Sequence, residues 1–300
     1  MKNDRLLLRI GGLTCAFTGW VPPAAENSFL PKFLVSDGTP DVTVEIYHDP
    51  DTQIPAPKVY EDEFCRAYVS GERVWLENSA FGTMKTWAYS ILHYNHRDTL
   101  RLQILSPTST FQMDHVISGM MIESLLLARE SAILHSSVIA VDGQAILFTA
   151  PSGTGKSTQA ELWRRYRNAE VLNGDRALLR FINGKPVACG LPFAGTSGIC
   201  HNFELPIRAI VVLSQANENQ LEIMHPTAAV RALLSQISLH KWHAQDVPYA
   251  VGISLRLTEC LPIYHLACLP EESAVACLEA AMKGANNGTF CGTNAVPVSP

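Results

Sequence analysis

Residues 150–158 read "APSGTGKST", and they concentrate groups suited to holding a polyphosphate. Small residues let a backbone curl until its N–H groups point inward, and a helix that opens there adds partial positive charge at the same spot. Gly153 and Gly155 supply that freedom. Lys156 has the reach for β- and γ-phosphates, and the Ser157 hydroxyl stands where loops of this pattern ligate Mg²⁺. Ser152, Gly153, Thr154, Gly155, Lys156, Ser157 and Thr158 are therefore the expected phosphate-binding set. The strict pattern G-x-x-x-x-G-K-[ST] asks for glycine at 150, where this chain has alanine. Alanine at a positive φ would cost on the order of 1 kcal/mol, so the loop should begin in a conformation alanine tolerates. A glycine-rich turn that binds nothing is the plain alternative.

Such a loop needs an acid to hold its metal. Asp175, in "VLNGDRALL", follows a short apolar strand soon after the loop, which points to a compact kinase rather than a large parallel-sheet NTPase. A turn residue after a strand is its structural reading. "HKWH" sets His240 and His243 at i, i+3, but no third ligand lies at a recognisable spacing, so no zinc site is expected.

These residues work only on the right elements. Two apolar runs flank Asp142-Gly143, a hairpin signal, and the second leads straight into the loop. "STQAELWRRY" reads as the following helix. "AEVLN", "ALLRFINGKPVACG" (turning at Asn183-Gly184) and "RAIVVLS" read as strands, and "PTAAVRALLSQISLH" and "PEESAVACLEAAM" as helices. One helix is expected from Asp114 to about Glu130, its Met120 and Met121 filling core. Before that, "LLLRI", "FLVSD", "VTVEIYH", "CRAYVSGERVWLEN" and "SILHYN" read as strands. The division expected is a β-rich N-terminal domain over 1–112, a candidate acceptor-binding part, a phosphate-loop domain over 113–283, and a loose tail over 284–300.

Composition narrows the class. The 300 residues are 47% hydrophobic and 17% charged with a formal charge of -5, which suits an ordinary globular protein. No long basic cluster suggests nucleic acid; Arg164, Arg165 and Arg167 read as a solvated helix face. Eight scattered cysteines without a C-x-x-C pair suggest free thiols in a reducing compartment. Arg9 interrupts the apolar start, no run reaches membrane-span length, and a cytoplasmic, soluble chain is expected.

"LHSSVIAVDGQAILFTAPSGTGKSTQAELW" together with "VLNGDRALL" resembles the catalytic domain of the HPr kinase/phosphorylase family over roughly residues 130–215. Its relatives include the peptide serine kinases of lasso-peptide clusters and, distantly, ATP-dependent phosphoenolpyruvate carboxykinases. The resemblance implies an α/β fold of α+β character, with a P-loop kinase domain of that type. It implies ATP and Mg²⁺ on residues 152–157, and Ser157 and Asp175 as metal ligands. It also implies His135, Asp175 and Lys156 as catalytic residues, with Asp175 able to take an acceptor's proton. The family carries an acidic pair where this chain has Gly174-Asp175. "CGLPFAGTSGICHN" lacks the family's Glu and Arg signature and looks more like the lasso-type branch, with Phe193–Ser197 as the expected acceptor contact. The expected activity is ATP- and Mg-dependent transfer of the γ-phosphoryl group to a hydroxyl, a serine of a peptide or protein. A small-molecule kinase of the same fold, or a nucleotide-binding sensor weak in catalysis, stays open. Nucleic acid and membrane are not expected partners, and a homo-oligomer is left open because the family often assembles.

Overall fold

The computed structural model describes residues 5–49, 54–63, 65–79, 86–94, 99–105 and 111–285. Of the loose tail expected over 284–300, residues 286–300, with Cys291, lie outside them, while Gly284 and Ala285 still belong to the last helix. The chain is mixed α/β and forms two compact units, residues 1–129 with 239–247, and residues 130–238 with 248–300.

The first unit is built on one eight-stranded sheet. In chain order its strands are β1 (Leu6–Ile10), β2 (Leu13–Gly19), β3 (Val42–His48), β4 (Lys58–Glu61), β5 (Cys65–Ser70), β6 (Arg73–Ser79), β7 (Thr86–Tyr94) and β8 (Thr99–Ile104). They lie in the order β1-β2-β3-β8-β7-β6-β5-β4. Strands β5 and β6 join through a tight turn in which Gly71 takes φ +58°. "FLVSD" does not form a strand. Pro31 sits at the start of a 3₁₀ turn, Leu30–Phe33, and only Leu34 bridges to Leu8. The single helix expected over 114–130 is two, α1 (Met113–Gly119) and α2 (Ile122–Leu127), because Met121 takes a left-handed φ of +55°. Met120 and Met121 are both buried, as core filler should be.

"HKWH" belongs to this unit and has a structural use. Asp246 is fully buried. Its Oδ1 meets His243 Nδ1 at 2.6 Å, and its Oδ2 accepts from the Ser124 hydroxyl at 2.8 Å and from the His240 backbone N–H at 2.9 Å. The Ser124 hydroxyl also meets His240 Nδ1 at 3.0 Å. Among the described residues no group of three or more His, Cys, Asp or Glu side chains could hold a metal.

The second unit carries β9 (Ala132–Val141), β10 (Gln144–Thr149), α3 (Lys156–Arg167), β11 (Glu170–Asn173), β12 (Arg176–Ile182), β13 (Lys185–Cys189), β14 (Glu204–Gln215), β15 (Gln220–Ile223), α4 (Pro226–Leu234), α5 (Asp246–Cys260, whose first two residues count with the first unit), β16 (Ile263–Cys268) and α6 (Glu272–Ala285). Sequence reading did not separate α5 or β16. The helix expected through His240 stops at Leu234, and Ile237 instead bridges to Leu134. Asp142-Gly143 and Asn183-Gly184 make the two expected hairpin turns, all four residues at positive φ as two-residue hairpin loops demand.

Two long strands each serve three neighbours. Residues 132–135 of β9 pair with β12, residues 136–141 with β10, and residues 138–140 with β11. β14 pairs with β13 at its start and then runs parallel to β10 and β16. Helices α3 and α6 pack on the sheet through Trp163, Leu162, Val275 and Leu278 against Phe148, Val211 and Leu266. Arg167 pairs with Glu272 and Glu279 of α6, so part of the basic group at the end of α3 is tied down rather than solvated. Among the described residues the cysteines are free and no helix is long and apolar enough to cross a membrane.

Burial pushes the Asp246 carboxyl up, but its bonds from His240 and His243 outweigh this and hold it well below the usual range. Burial pushes His240 down, and its bond to Asp246 outweighs that and raises it. A depressed acid stabilises above its unfolded value of about 4 and loses that as pH falls; a raised histidine stabilises below about 6.5 and loses that as pH rises. The melting-temperature difference between the wild type and Asp246→Asn is therefore expected to be largest between about pH 4 and 6.5 and to shrink on either side. Calorimetry across pH 3–9 measures it, and a pH-independent difference counts against the coupling.

Candidate active site

Strand β9 changes neighbours between His135 and Ser136, and the candidate site is built on that change. His135 stands opposite Arg176 in the β12 ladder, while Ser136 stands opposite Thr149 at the last position of β10. The glycine-bearing loop over residues 150–158 starts one residue later. The backbone of His135 is gripped from both sides: its N–H donates to the Gln236 carbonyl at 2.9 Å, and its carbonyl accepts from the Thr149 hydroxyl at 2.8 Å.

The loop has the expected strand–loop–helix setting. Gly153 (φ +79°) and Gly155 (φ +117°) both take left-handed conformations, and no outside atom lies within 4 Å of where a Cβ would stand. The curl thus leaves an open cradle that side chains would strain and fill. Gly155 is the N-cap of α3, and no side chain caps that end, so its first N–H groups face the cradle without a built-in partner. Ala150 has no positive φ and is fully buried in the core with Phe148, Ala160 and Trp163, which explains why alanine serves there. Ser152, Ser157 and Thr158 are exposed, and Thr154 is half-buried.

Lys156 is largely buried and donates through Nζ to the carbonyls of Ala150, at 2.8 Å, and Pro151, at 3.2 Å. Burial lowers its pKa, opposed by the negative charge of Asp175. Loop lysine and strand acid therefore act within one electrostatic neighbourhood.

Asp175 owes its position to a broken ladder. Register slips by one residue between Val171 and Asn173, and Gly174 and Asp175 leave the regular strand before β12 resumes. The buried Asn173 carboxamide spans the break: its Oδ1 accepts from the N–H groups of Asp175 (2.8 Å) and Arg176 (3.0 Å), and its Nδ2 donates to the Phe193 carbonyl at 2.8 Å. This Asx turn turns the Asp175 carboxylate onto the face of His135. His135 Nε2 meets Asp175 Oδ1 at 3.0 Å, and Arg176 Nε donates to Oδ2 at 3.0 Å. Strand alternation would put Arg176 on the face opposite Asp175; the turn overrides it. Burial raises the Asp175 carboxyl, and the His135 bond and the Arg176 charge outweigh that, holding it below the usual carboxylate range.

The loop over residues 193–198 backs this acid. Gly195, at φ +53°, approaches so closely that a Cβ there would stand 2.7 Å from Asp175 Cγ. A Cβ on Gly174 would collide with Ser197. The Arg176 guanidinium lies 5.7 Å from the centre of the Phe193 ring. Glycine thus stands at 174, beside the acid, because Ser197 occupies the space an acidic side chain would need. Asn173 and Arg176 were not picked from the sequence as site residues, and Ser197 only as the end of the Phe193–Ser197 loop expected to meet an acceptor. The N-G-D order, an Asx residue two positions before the acid, is the signal that points to Asn173.

No protein-family model and no curated protein matches the chain. Among solved structures, the Hpr(Ser) kinase/phosphatase from Coxiella burnetii is matched at 10% identity over 52% of this chain and 99% of that one, with a TM-score of 0.31. A likeness of that size leaves function to be argued from this chain's own residues.

Gly174→Asp is expected to cost about 1–3 kcal/mol through overpacking against Ser197. Adding Ser197→Gly should return at least half of that loss. Urea melts of the two variants and the wild type measure it, and full additivity would refute the packing explanation.

Proposed function

We propose that the second unit is an ATP- and Mg²⁺-dependent kinase that transfers the γ-phosphoryl group to a hydroxyl, a serine of a peptide or protein. The carrying observation is the ionised Asp175, fixed by His135, Arg176 and the Asx turn, and close enough for its charge to act on the phosphate-loop lysine. The phosphates would lie on residues 152–158, against the uncapped N-terminus of α3 and Lys156. Mg²⁺, when bound, would be held by the Ser157 hydroxyl and Asp175 and would offset phosphate charge.

In that reading the acceptor oxygen attacks the γ-phosphorus, the bond to the β,γ-bridging oxygen breaks, and ADP leaves. The acceptor's proton passes to the Asp175 carboxylate, whose two oxygens keep lone pairs beyond those used by His135 and Arg176. Phosphoryl transfer asks for positioning more than for basicity, so a depressed acid pKa is compatible with the role. His135 and Arg176 orient the carboxylate, and the exposed loop over 195–198 is the surface an acceptor would meet.

A second reading, a nucleotide-binding sensor with little turnover, draws on Lys156 being bonded to its own loop carbonyls. Mass spectrometry with ATP, Mg²⁺, peptides and metabolites separates the readings. A phosphorylated peptide is expected, with Asp175→Asn slowing transfer by about 10²–10⁴-fold while nucleotide affinity changes less than about tenfold. A metabolite product would move the assignment to a small-molecule kinase. Tight binding without transfer to any acceptor or to water would leave the sensor.

A further inference from the structure

Strands β10, β14 and β16 run parallel, so their C-terminal ends open on one side of the sheet. The phosphate loop follows β10. Next to it, where β14 and β16 end, lies a cavity of about 630 Å³, within the range of small-molecule sites. The phosphate loop forms one wall. Gln159 of α3, Leu213, Gln215, Ala216 and Asn217 at the end of β14, Cys268 at the end of β16 and Pro270 beyond it contribute to the rest. Gln215 Nε2 donates to the Gly153 carbonyl at 3.4 Å, linking this wall to the loop. A nucleotide with its phosphates on the loop has this cavity beside it for its base.

The lining chemistry discriminates between bases. Among the described residues no charged side chain lines the cavity. Guanine is read through its O6 and N7 acceptors by Arg or Lys, whereas Gln and Asn pair with the N6 amine and ring nitrogen of adenine. Gln159 is 2% exposed. Its Nε2 donates to Cys268 Sγ at 3.2 Å, and its Oε1 has no hydrogen-bond partner. A buried acceptor left unmet is costly, and a ligand N–H would satisfy it on a turn of the carboxamide toward the cavity. Adenine offers an exocyclic amine; guanine offers a carbonyl oxygen at the same ring position, which would face this acceptor oxygen to oxygen.

We propose that this cavity is a base site that selects adenine nucleotides, with Gln159 Oε1 accepting from the exocyclic amine. The inference rests on the nucleotide reading of the loop given above, and names the residue that would choose the nucleotide.

Titration calorimetry on the full chain with Mg²⁺ tests it, using ATP, GTP, purine riboside triphosphate (ATP without its 6-amino group) and tripolyphosphate. ATP is expected to bind about tenfold tighter than purine riboside triphosphate, the worth of one hydrogen bond, and tighter still than GTP. Gln159→Leu should bring ATP down to the purine riboside level and leave tripolyphosphate unchanged. The wild-type series alone decides the matter if that variant fails to fold. Equal affinity for ATP and purine riboside triphosphate, with tripolyphosphate bound, overturns the base site and leaves the phosphate site standing. Failure of every probe, tripolyphosphate included, overturns both.

Discussion

Between Val171 and Arg176 the strand after the phosphate-loop helix slips register along β9 and leaves its ladder, and one buried carboxamide holds the break in shape. Buried backbone groups must find partners, and here Asn173 supplies them by accepting two N–H groups and donating to the Phe193 carbonyl. The consequences spread outward. Asp175 turns to His135, Arg176 folds back onto the same carboxylate, and the 193–198 loop seats against both through glycines at 174 and 195. A regular strand would have hidden the acid on the other face.

The loop over residues 150–158 depends on the same strand, β9, from its other edge. Its partner β10 ends at Thr149, and the Thr149 hydroxyl returns to the His135 carbonyl. The point where β9 changes partners therefore sets the spacing between loop and acid. Core packing secures that spacing, because Ala150 enters the hydrophobic cluster before the chain curls into the glycines. The buried stretch ends there, and the exposed one begins at Pro151.

Two histidine–aspartate assemblies in this chain show how environment divides one chemistry into two uses. Asp246 is fully buried and its bonds are internal to the first unit, so it works as an internal tie whose strength follows pH. Asp175 keeps about a fifth of its side-chain surface exposed beside a loop of free curvature, so solute can reach it. Spacing had drawn attention to His240 and His243, and family resemblance to His135; exposure separates the tie from the candidate site.

The sequence by itself determined the glycine-bearing loop over 150–158, its strand and helix, both Asx-Gly hairpins of the second unit and the acid that follows, because these rest on local backbone chemistry and short-range periodicity. It also picked out His135, although only by family resemblance. The break at Met121, the loss of "FLVSD" as a strand and the early stop at Leu234 were not legible, since each follows from a local conformation or a partner distant in the chain. The meeting of His135 with Asp175, the return of Arg176 and the orphaned Gln159 acceptor were decided only in three dimensions. They depend on a register slip and on the ends of parallel strands, and pairing between distant segments leaves no period in the sequence to read.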